Sequence, residues 1–298
     1  MPSEAFDAIV ALLGAAKASP DADLADLRAG YALMGAMVPV DETVDVEAGD
    51  LGGVPGEWLT PIAADEGRVV LYFHGGGYNI GSAETHRSML THLATRARTR
   101  VFSVDYRLAP ESPYPAAIDD AVASYEGLLA VGTDPARVVV AGDSAGGGLA
   151  LALLTRIRDA GVALPAGAVA LSPWTDLTAS SASIAANEAT DIMLGRPLLH
   201  HWATAYLDGA DPEHPHASPL HADLSGLPPI LVQVGDTEVL LDEGVRFAAQ
   251  AADAGVDITL QVEPDMFHVW PFFAGIVPES DDALAEAAAW ILARSSAR

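Results

Sequence analysis

Cysteine is absent from this 298-residue chain, lysine occurs once, at Lys17, and no hydrophobic run approaches the about 20 apolar residues of a membrane span. The lack of cysteine excludes disulfides and thiolate metal sites and is compatible with a cytoplasmic location. The formal net charge of −26 argues against nucleic acid and anionic membrane surfaces as partners, because both would repel the chain. The acidic beginning has no basic segment and spaces its apolar residues as an amphipathic helix does, unlike a signal peptide. We therefore expect a cytoplasmic protein with no membrane span.

The most informative stretch of the chain runs from Arg137 to Leu149 and reads RVVVAGDSAGGGL. Its first half is typical of a buried strand, its second half contains G-x-S-x-G centred on Ser144, and a helical pattern follows. A strand that becomes a helix within a few residues must bend sharply, and the flanking glycines permit that bend. The pattern predicts a nucleophile elbow with the Ser144 hydroxyl lifted from the sheet and the Ala145 N–H directed at a bound carbonyl. A glycine-rich turn or a phosphate-binding loop could contain the same pentapeptide, so other motifs in the chain are needed to distinguish these from a nucleophile elbow.

The segment before the first strong strand pattern is predicted to be largely helical. Residues 1 to about 40 carry apolar residues at helical spacing, with breaks at Pro20 and Pro39. Short strands are predicted at 43–46 and 57–60, around a turn-rich stretch at 49–56.

Strand and helix patterns alternate through most of the remaining chain. This alternation predicts an α/β fold with a largely parallel sheet and helices on both faces. Between Trp174 and Leu227 the composition shifts to Ser, Thr, Asp, His and Pro, and only Pro197 to Leu207 has a clear helical pattern. We interpret this segment as an insertion that forms part of a lid.

A serine nucleophile needs a base to take its proton and an acid that orients the base. In this topology the partners follow in the order serine, acid, histidine, each beyond the end of a strand. His268 is the predicted base, because it alone of the later histidines follows a predicted core strand. The others lie in the insertion: His200, His201, His214, His216 and His221.

Three acidic residues follow the predicted strand at 230–234 and could serve as the acid. Asp242 is better suited to cap the next helix, with Glu243 in its first turn. Asp236 and Glu238 both remain candidates on spacing alone.

The tetrapeptide His74-Gly75-Gly76-Gly77 follows a buried strand pattern at 68–73 and offers N–H groups without obstructing side chains. Alone it could be a tight turn, but together with the elbow it predicts the donors of an oxyanion hole. His74 itself is expected to hold the loop in place and not to act as a second base.

These motifs together resemble the bacterial hormone-sensitive lipase family (family IV) of carboxylesterases, in the α/β-hydrolase superfamily. The resemblance spans about residue 68 to the C-terminus and includes the HGGG motif, DYRLAPE at 105–111, GDSAGG at 142–147 and Phe267-His268. It implies an α/β-hydrolase fold with a helical cap, hydrolysis of short to medium acyl-chain esters through an acyl-enzyme, no cofactor, and a protein that can form a homodimer. It also implies that Ser144 is the nucleophile and His268 the base, with Gly76, Gly77 and Ala145 as oxyanion donors and Gly75 beside them.

The acid motif departs from the family pattern, in which many members carry aspartate, proline and leucine followed shortly by a second aspartate. Here Leu241-Asp242-Glu243-Gly244 aligns with the end of that motif, which places Glu238 at the aspartate position. We therefore predict Glu238 as the acid and keep Asp236 as the alternative. The predicted domains are N-terminal cap helices at 1–45, a catalytic core at 46–178 and 226–298, and a cap insertion at 179–225.

Several other features have a plain structural interpretation. The pairs His200-His201 and His214-x-His216 are expected to be solvated cap histidines, since no further ligand at suitable spacing predicts a metal site. Arg107 and Glu111 are expected to form internal ion pairs. The acyl pocket is predicted to be lined by Tyr78, Asn79, Met193, Leu194 and Trp202.

Two other functions remain as alternatives to ester hydrolysis. The same triad could cleave amides, although no size-excluding domain of a peptidase is evident. A protein of this fold could also hold a small ligand without catalysis.

Overall fold

A computed structural model describes residues 2–15, 17–19 and 22–295. Eight strands in these ranges form one sheet in the order β1-β2-β4-β3-β5-β6-β7-β8, in which β2 alone runs in the opposite direction to the other seven. The mostly parallel sheet confirms the predicted α/β class. The strands are β1 Val44–Leu51, β2 Val54–Pro61, β3 Asp65–Phe73, β4 Thr99–Val104, β5 Val138–Asp143, β6 Gly167–Leu171, β7 Ile230–Gly235 and β8 Ile258–Glu263.

Helices cover both faces of the sheet and produce two hydrophobic cores. Successive strand residues point to opposite faces, so Leu71 packs in the core with α4, α5 and α8, while Val70 packs in the core with α3 and α9. In the described ranges the α-helices are α1 Glu4–Ala15, α2 Leu24–Met37, α3 Ala83–Ala97, α4 Ala116–Ala130, α5 Ser144–Asp159, α6 Ala182–Ala186, α7 Arg196–Leu207, α8 Leu241–Asp253 and α9 Pro278–Arg294. None of them is both long and apolar enough to cross a membrane.

The N-terminal hairpin differs from its prediction. In place of two short strands, β1 and β2 each have eight residues and pair from Val44–Pro61 to Leu51–Val54. The two residues between them, Gly52 and Gly53, both have positive φ, as tight hairpin turns require. The turn-rich stretch therefore belongs mostly to the sheet. The predicted break at Pro39 is confirmed by the end of α2, whereas the one at Pro20 lies outside the described residues.

The start of α8 also corrects a prediction. The helix begins at Leu241 with Leu240 as its cap residue, so the expectation that Asp242 caps it was wrong. Asp242 accepts the Ser183 N–H at 2.7 Å instead. Glu243 is fully buried and accepts the N–H groups of two residues after β6. Both acidic side chains thus connect this helix to the segment that follows β6. Such contacts join residues that are distant in the sequence, so the local pattern does not predict them.

Candidate active site

The junction of β5 and α5 is a sharp turn at Ser144. The strand ends at Asp143, the helix begins at Ser144, and Ser144 has φ of 52°, in the left-handed region. A Cβ at Gly142 would lie 2.3 Å from the Gly146 carbonyl oxygen, and a Cβ at Gly146 would lie 2.0 Å from the Phe73 carbonyl oxygen. Glycine is required at both positions because backbone atoms fill the space. The sequence prediction of a strand–turn–helix at this serine agrees with the observed elements.

Ser144, His268 and Glu238 form a continuous chain of hydrogen bonds. His268 Nε2 lies 2.9 Å from Ser144 Oγ, and His268 Nδ1 lies 2.6 Å from Glu238 Oε2. Glu238 follows β7 and His268 follows β8, and the carboxyl ends of these parallel strands lie at the same edge of the sheet as that of β5. The topology therefore brings together three residues that are far apart in the sequence.

The electrostatic surroundings of His268 favour its protonated form. Burial alone would lower the pKa of this imidazole, but the hydrogen bond and charge of Glu238 act against it. The negative charges of Asp191 and Asp143 act in the same direction, and the pKa of His268 lies above its ordinary value. The site thus holds the imidazole in place and stabilises the positive charge it would acquire as a base.

Glu238 is fixed by bonds to its second oxygen. Oε1 accepts the Gly235 N–H at 2.7 Å and the Ser172 hydroxyl at 2.9 Å, and Ser172 Oγ in turn accepts the Val269 N–H at 3.0 Å. Sequence reasoning missed Ser172, although its place directly after β6 was a usable signal. Asp236, the alternative acid, is exposed and accepts the Asp265 N–H at 2.8 Å, so the structure does not bring it to the imidazole.

Three of the backbone N–H groups predicted as oxyanion donors have no hydrogen-bond partner among the described residues. Those of Gly76, Gly77 and Ala145 make no hydrogen bond within the described ranges. The Gly75 N–H donates instead to Asp143 Oδ1 at 2.9 Å, so the prediction that Gly75 contributes to the hole is wrong. The physical reason is that the buried Asp143 carboxylate needs donors, and the Gly75 amide supplies one.

His74 agrees with its expected role in holding the glycine loop. Its Nδ1 donates to the Gly75 carbonyl oxygen at 2.7 Å, and its ring stacks on Tyr106 with centroids 4.3 Å apart. Burial and the neighbouring His86 lower the pKa of His74 to about 3, so it stays neutral.

A cavity of about 660 Å³ extends from Ser144 and His268 to the N-terminal helices. Met193, Leu194 and Trp202 line it, as predicted. The remaining wall is mostly apolar and comes from α1, α2, α7 and the segment after His268: Leu12, Leu13, Leu27, Tyr31, Leu33, Met34, Met37, Leu198, Phe272 and Phe273.

Tyr78 and Asn79 are not in the wall of this cavity, so the prediction that they line it was wrong. The Tyr78 ring stacks on Tyr206 with centroids 3.9 Å apart. The Asn79 side-chain amide donates to the carbonyl oxygens of Gly77 and Trp202, at 2.6 and 3.2 Å. Both side chains thus contact α7, and Asn79 also contacts the glycine loop.

Arg107 and Glu111 of the DYRLAPE segment form ion pairs within the protein, as expected. Arg107 binds Asp120 at 2.7 Å and Glu111 binds Arg28 at 2.6 Å. Within the residues described, no three His, Cys, Asp or Glu side chains are grouped so that they could hold a metal ion. His214 Nδ1 lies 2.9 Å from the Tyr114 hydroxyl.

Comparison with known proteins assigns the chain to a family. Residues 70–272 match the family described as "alpha/beta hydrolase fold". The chain is 46% identical to a Streptomyces hygroscopicus protein named "Acetyl-hydrolase", over 82% of this chain and 84% of that protein. It is 39% identical to an Acinetobacter venetianus protein named "Esterase", over 85% of this chain and 83% of the relative.

Solved structures agree with the sequence relatives. A crystal structure of an esterase from the bacterial hormone-sensitive lipase family superposes with a TM-score of 0.97 at 44% identity, covering 99% of this chain and 100% of the other. A hormone-sensitive lipase from a metagenome library gives a TM-score of 0.94 at 40% identity, with coverage of 99% and 100%. The chain therefore has the α/β-hydrolase fold and belongs to the bacterial hormone-sensitive lipase family of esterases.

Proposed function

We propose that this protein hydrolyses small carboxylic esters through an acyl-enzyme on Ser144, with His268 as base and Glu238 as acid. The observation that carries the proposal is the hydrogen-bond chain from Ser144 through His268 to Glu238. A serine hydroxyl is a weak nucleophile unless a neighbouring base removes its proton. The 2.9 Å contact between Ser144 Oγ and His268 Nε2 provides that base within proton-transfer distance.

In the first step Ser144 Oγ attacks the ester carbonyl while its proton passes to His268 Nε2. The Glu238 carboxylate stabilises the resulting imidazolium by accepting the Nδ1–H. The negative oxygen of the tetrahedral intermediate is bound by the N–H groups of Gly76, Gly77 and Ala145. The imidazolium then gives its proton to the leaving alcohol, and the acyl group remains on Ser144.

In the second step a water molecule replaces the alcohol. His268 takes a proton from the water, the hydroxide attacks the acyl carbon, and the same N–H groups bind the second oxyanion. Breakdown of this intermediate returns the proton from His268 to Ser144 Oγ and releases the carboxylic acid. No cofactor is needed for either step.

The size and the lining of the cavity favour a substrate with an apolar acyl group of short to medium length. Its wall near the serine is formed by aliphatic and aromatic side chains, including Leu194, Leu198 and Trp202. A volume of about 660 Å³ lies within the range of small-ligand pockets. The Streptomyces relative carries the name "Acetyl-hydrolase", which supports substrates at the short end of this range.

The intact triad geometry favours catalysis over simple ligand binding. A pocket that only held a ligand would not need a nucleophile hydrogen-bonded to an imidazole that is itself bonded to a buried carboxylate. Amide hydrolysis uses the same groups but has a poorer leaving group, so we expect it to be slower.

A chain-length series of p-nitrophenyl esters, measured on the wild type and on Ser144→Ala, tests the proposed function. We expect turnover of acetate to octanoate esters by the wild type and a loss of about 10⁶ in kcat for Ser144→Ala, as when a serine protease loses its nucleophile. Turnover of matched p-nitroanilides should be far slower. Equal activity of Ser144→Ala, or faster cleavage of the anilides, would contradict the proposal.

A further inference from the structure

Asp191 is a buried carboxylate that the two chemical steps do not use. It lies in the insertion between α6 and α7 and is 2% exposed. A carboxylate removed from water must be satisfied by several donors, and each donor that Asp191 has recruited is a backbone N–H.

One oxygen of Asp191 holds the wall of the cavity. Oδ1 accepts the N–H groups of Met193 and Leu194, each at 2.8 Å. Both residues line the cavity that contains Ser144. A single acceptor atom therefore binds two consecutive residues of this wall.

The other oxygen holds the loop that carries the triad acid. Oδ2 accepts the Val239 N–H at 2.8 Å, and Val239 directly follows Glu238. Asn187, four residues before Asp191, supports the same loop through a bond from its side-chain amide to the Glu238 carbonyl oxygen at 2.8 Å. The insertion thereby fixes the backbone on the C-terminal side of the acid.

The main chain of Asp191 is also an anchor for the N-terminal segment. Its carbonyl oxygen accepts Lys17 Nζ at 2.6 Å, and Lys17 also lines the cavity. Three parts of the molecule therefore meet at this residue: the N-terminal segment, the cavity wall and the acid loop.

We propose that Asp191 is a positioning residue that couples the acyl-binding wall at Met193–Leu194 to the loop of the triad acid Glu238. This inference rests on the proposed ester hydrolysis. A disturbance of the carboxylate must move both structures, so the selectivity for acyl chains and the orientation of the acid change together. The charge of Asp191 gives a second measurable effect, because it raises the pKa of His268 together with the charges of Glu238 and Asp143.

Two substitutions separate the geometry of Asp191 from its charge. Asp191→Asn nearly preserves shape, but it turns one acceptor oxygen into a donor and removes the charge. Asp191→Glu keeps the charge but displaces the oxygens by one methylene. The matched control is Asp176→Asn, since Asp176 is equally buried and accepts the Thr178 N–H at 3.0 Å but makes no hydrogen bond to residues 236–239.

The first readout is the titration of the His268 imidazole by NMR, with its resonance identified by its loss in His268→Gln. We expect the midpoint to fall in Asp191→Asn and to stay near the wild-type value in Asp191→Glu and Asp176→Asn. This measurement needs no turnover, so it tests the effect of Asp191 on His268 even if the wild type hydrolyses no ester and the proposed function fails.

The second readout is kcat/KM for the butyrate and octanoate esters. Loss of one buried hydrogen bond to the acid loop should lower kcat/KM for butyrate about tenfold in both Asp191 variants. Selectivity should shift toward octanoate, because the released Met193–Leu194 wall no longer narrows the cavity, whereas Asp176→Asn keeps the wild-type ratio.

The inference is overturned if Asp191→Asn keeps either the wild-type His268 midpoint or the wild-type ester selectivity, or if Asp176→Asn changes both equally. If Asp191→Asn does not fold, Asp191→Glu decides: wild-type rate and selectivity in that variant would equally overturn the coupling.

Discussion

Replacing Glu238 by glutamine changes one oxygen of a fully buried side chain into an amide nitrogen and leaves its size unchanged. The Oε1 position already accepts two donors, the Gly235 N–H and the Ser172 hydroxyl. The amide oxygen should therefore keep that position, and the new NH₂ group should face His268 Nδ1. Since two donors cannot bond to each other, the imidazole would move its proton to Nε2, the atom that must accept the Ser144 proton.

The expected magnitude follows from this change of tautomer. In serine proteases the change of the orienting aspartate to asparagine lowers kcat by about 10⁴, which corresponds to about 5.4 kcal/mol of transition-state stabilisation. The 2.6 Å bond between His268 and the buried Glu238 gives no reason to expect a smaller loss here. The pKa of His268 should also fall, because burial lowers it and the charge that opposes burial is gone.

The assay is the pH profile of kcat/KM with p-nitrophenyl butyrate. His268 must be neutral to act as a base, so activity of the wild type is lost as the pH falls through its raised pKa, above the ordinary value of 6.5. Glu238→Gln should lose about 10⁴ in rate, and its remaining activity should extend to lower pH. Asp236→Asn, the matched control, should stay within a few-fold of the wild type. A loss below tenfold in Glu238→Gln, or an equal loss in Asp236→Asn, would refute the reasoning.

Three further substitutions probe the oxyanion loop, the cavity and a buried carboxyl group. Gly76→Ala should lower kcat by about 10²–10³, since Gly76 has φ of 114° and a Cβ would lie 2.2 Å from the Ile80 carbonyl oxygen; Gly161→Ala, with positive φ but open space, is the control that should keep kcat. Leu198→Trp should fill part of the cavity and lower kcat/KM for octanoate relative to acetate at least tenfold, and an unchanged ratio would contradict the cavity assignment. Burial and the charge of Asp176 raise the pKa of Glu243 well above its usual value, so its contribution to stability is full at low pH and lost as pH rises toward that pKa. Glu243→Gln cannot ionise, and its free energy of unfolding relative to wild type should therefore rise with pH in denaturant titrations; a constant difference would contradict this.

Features that depend on local pattern could be predicted from the sequence. The elbow at Ser144 is a strand, a glycine-flanked turn and a helix in direct succession, so adjacent residues suffice to identify it. His268 could be predicted because it follows a strand pattern, and parallel strands end at the same edge of the sheet. Position after a strand did not separate Glu238 from Asp236, and only the resemblance to the family motif favoured Glu238. The turn at Gly52-Gly53 lies within the predicted turn-rich stretch, but the polar residues beside it obscured the length of β1 and β2.

Features that depend on distant contacts could not be predicted in this way. The Gly75 N–H is occupied by a carboxylate 68 residues away, and nothing in the tetrapeptide distinguishes it from its neighbours. Asp242 and Glu243 have the pattern of a helix start, yet tertiary contacts draw both toward other segments. Asp191 and Ser172 carry no motif, because their importance arises from which backbone amides the fold brings to them.

The central claim is that a serine at the elbow carries the acyl group between the two steps. Rapid mixing with p-nitrophenyl butyrate, an acid quench and mass spectrometry of the digested protein measures this directly. We predict a burst of p-nitrophenol close to one equivalent and a butyryl group on the peptide that contains Ser144, with neither observed in Ser144→Ala. Steady turnover with no burst and no butyrylated peptide, or a butyryl group on another residue, would contradict the account.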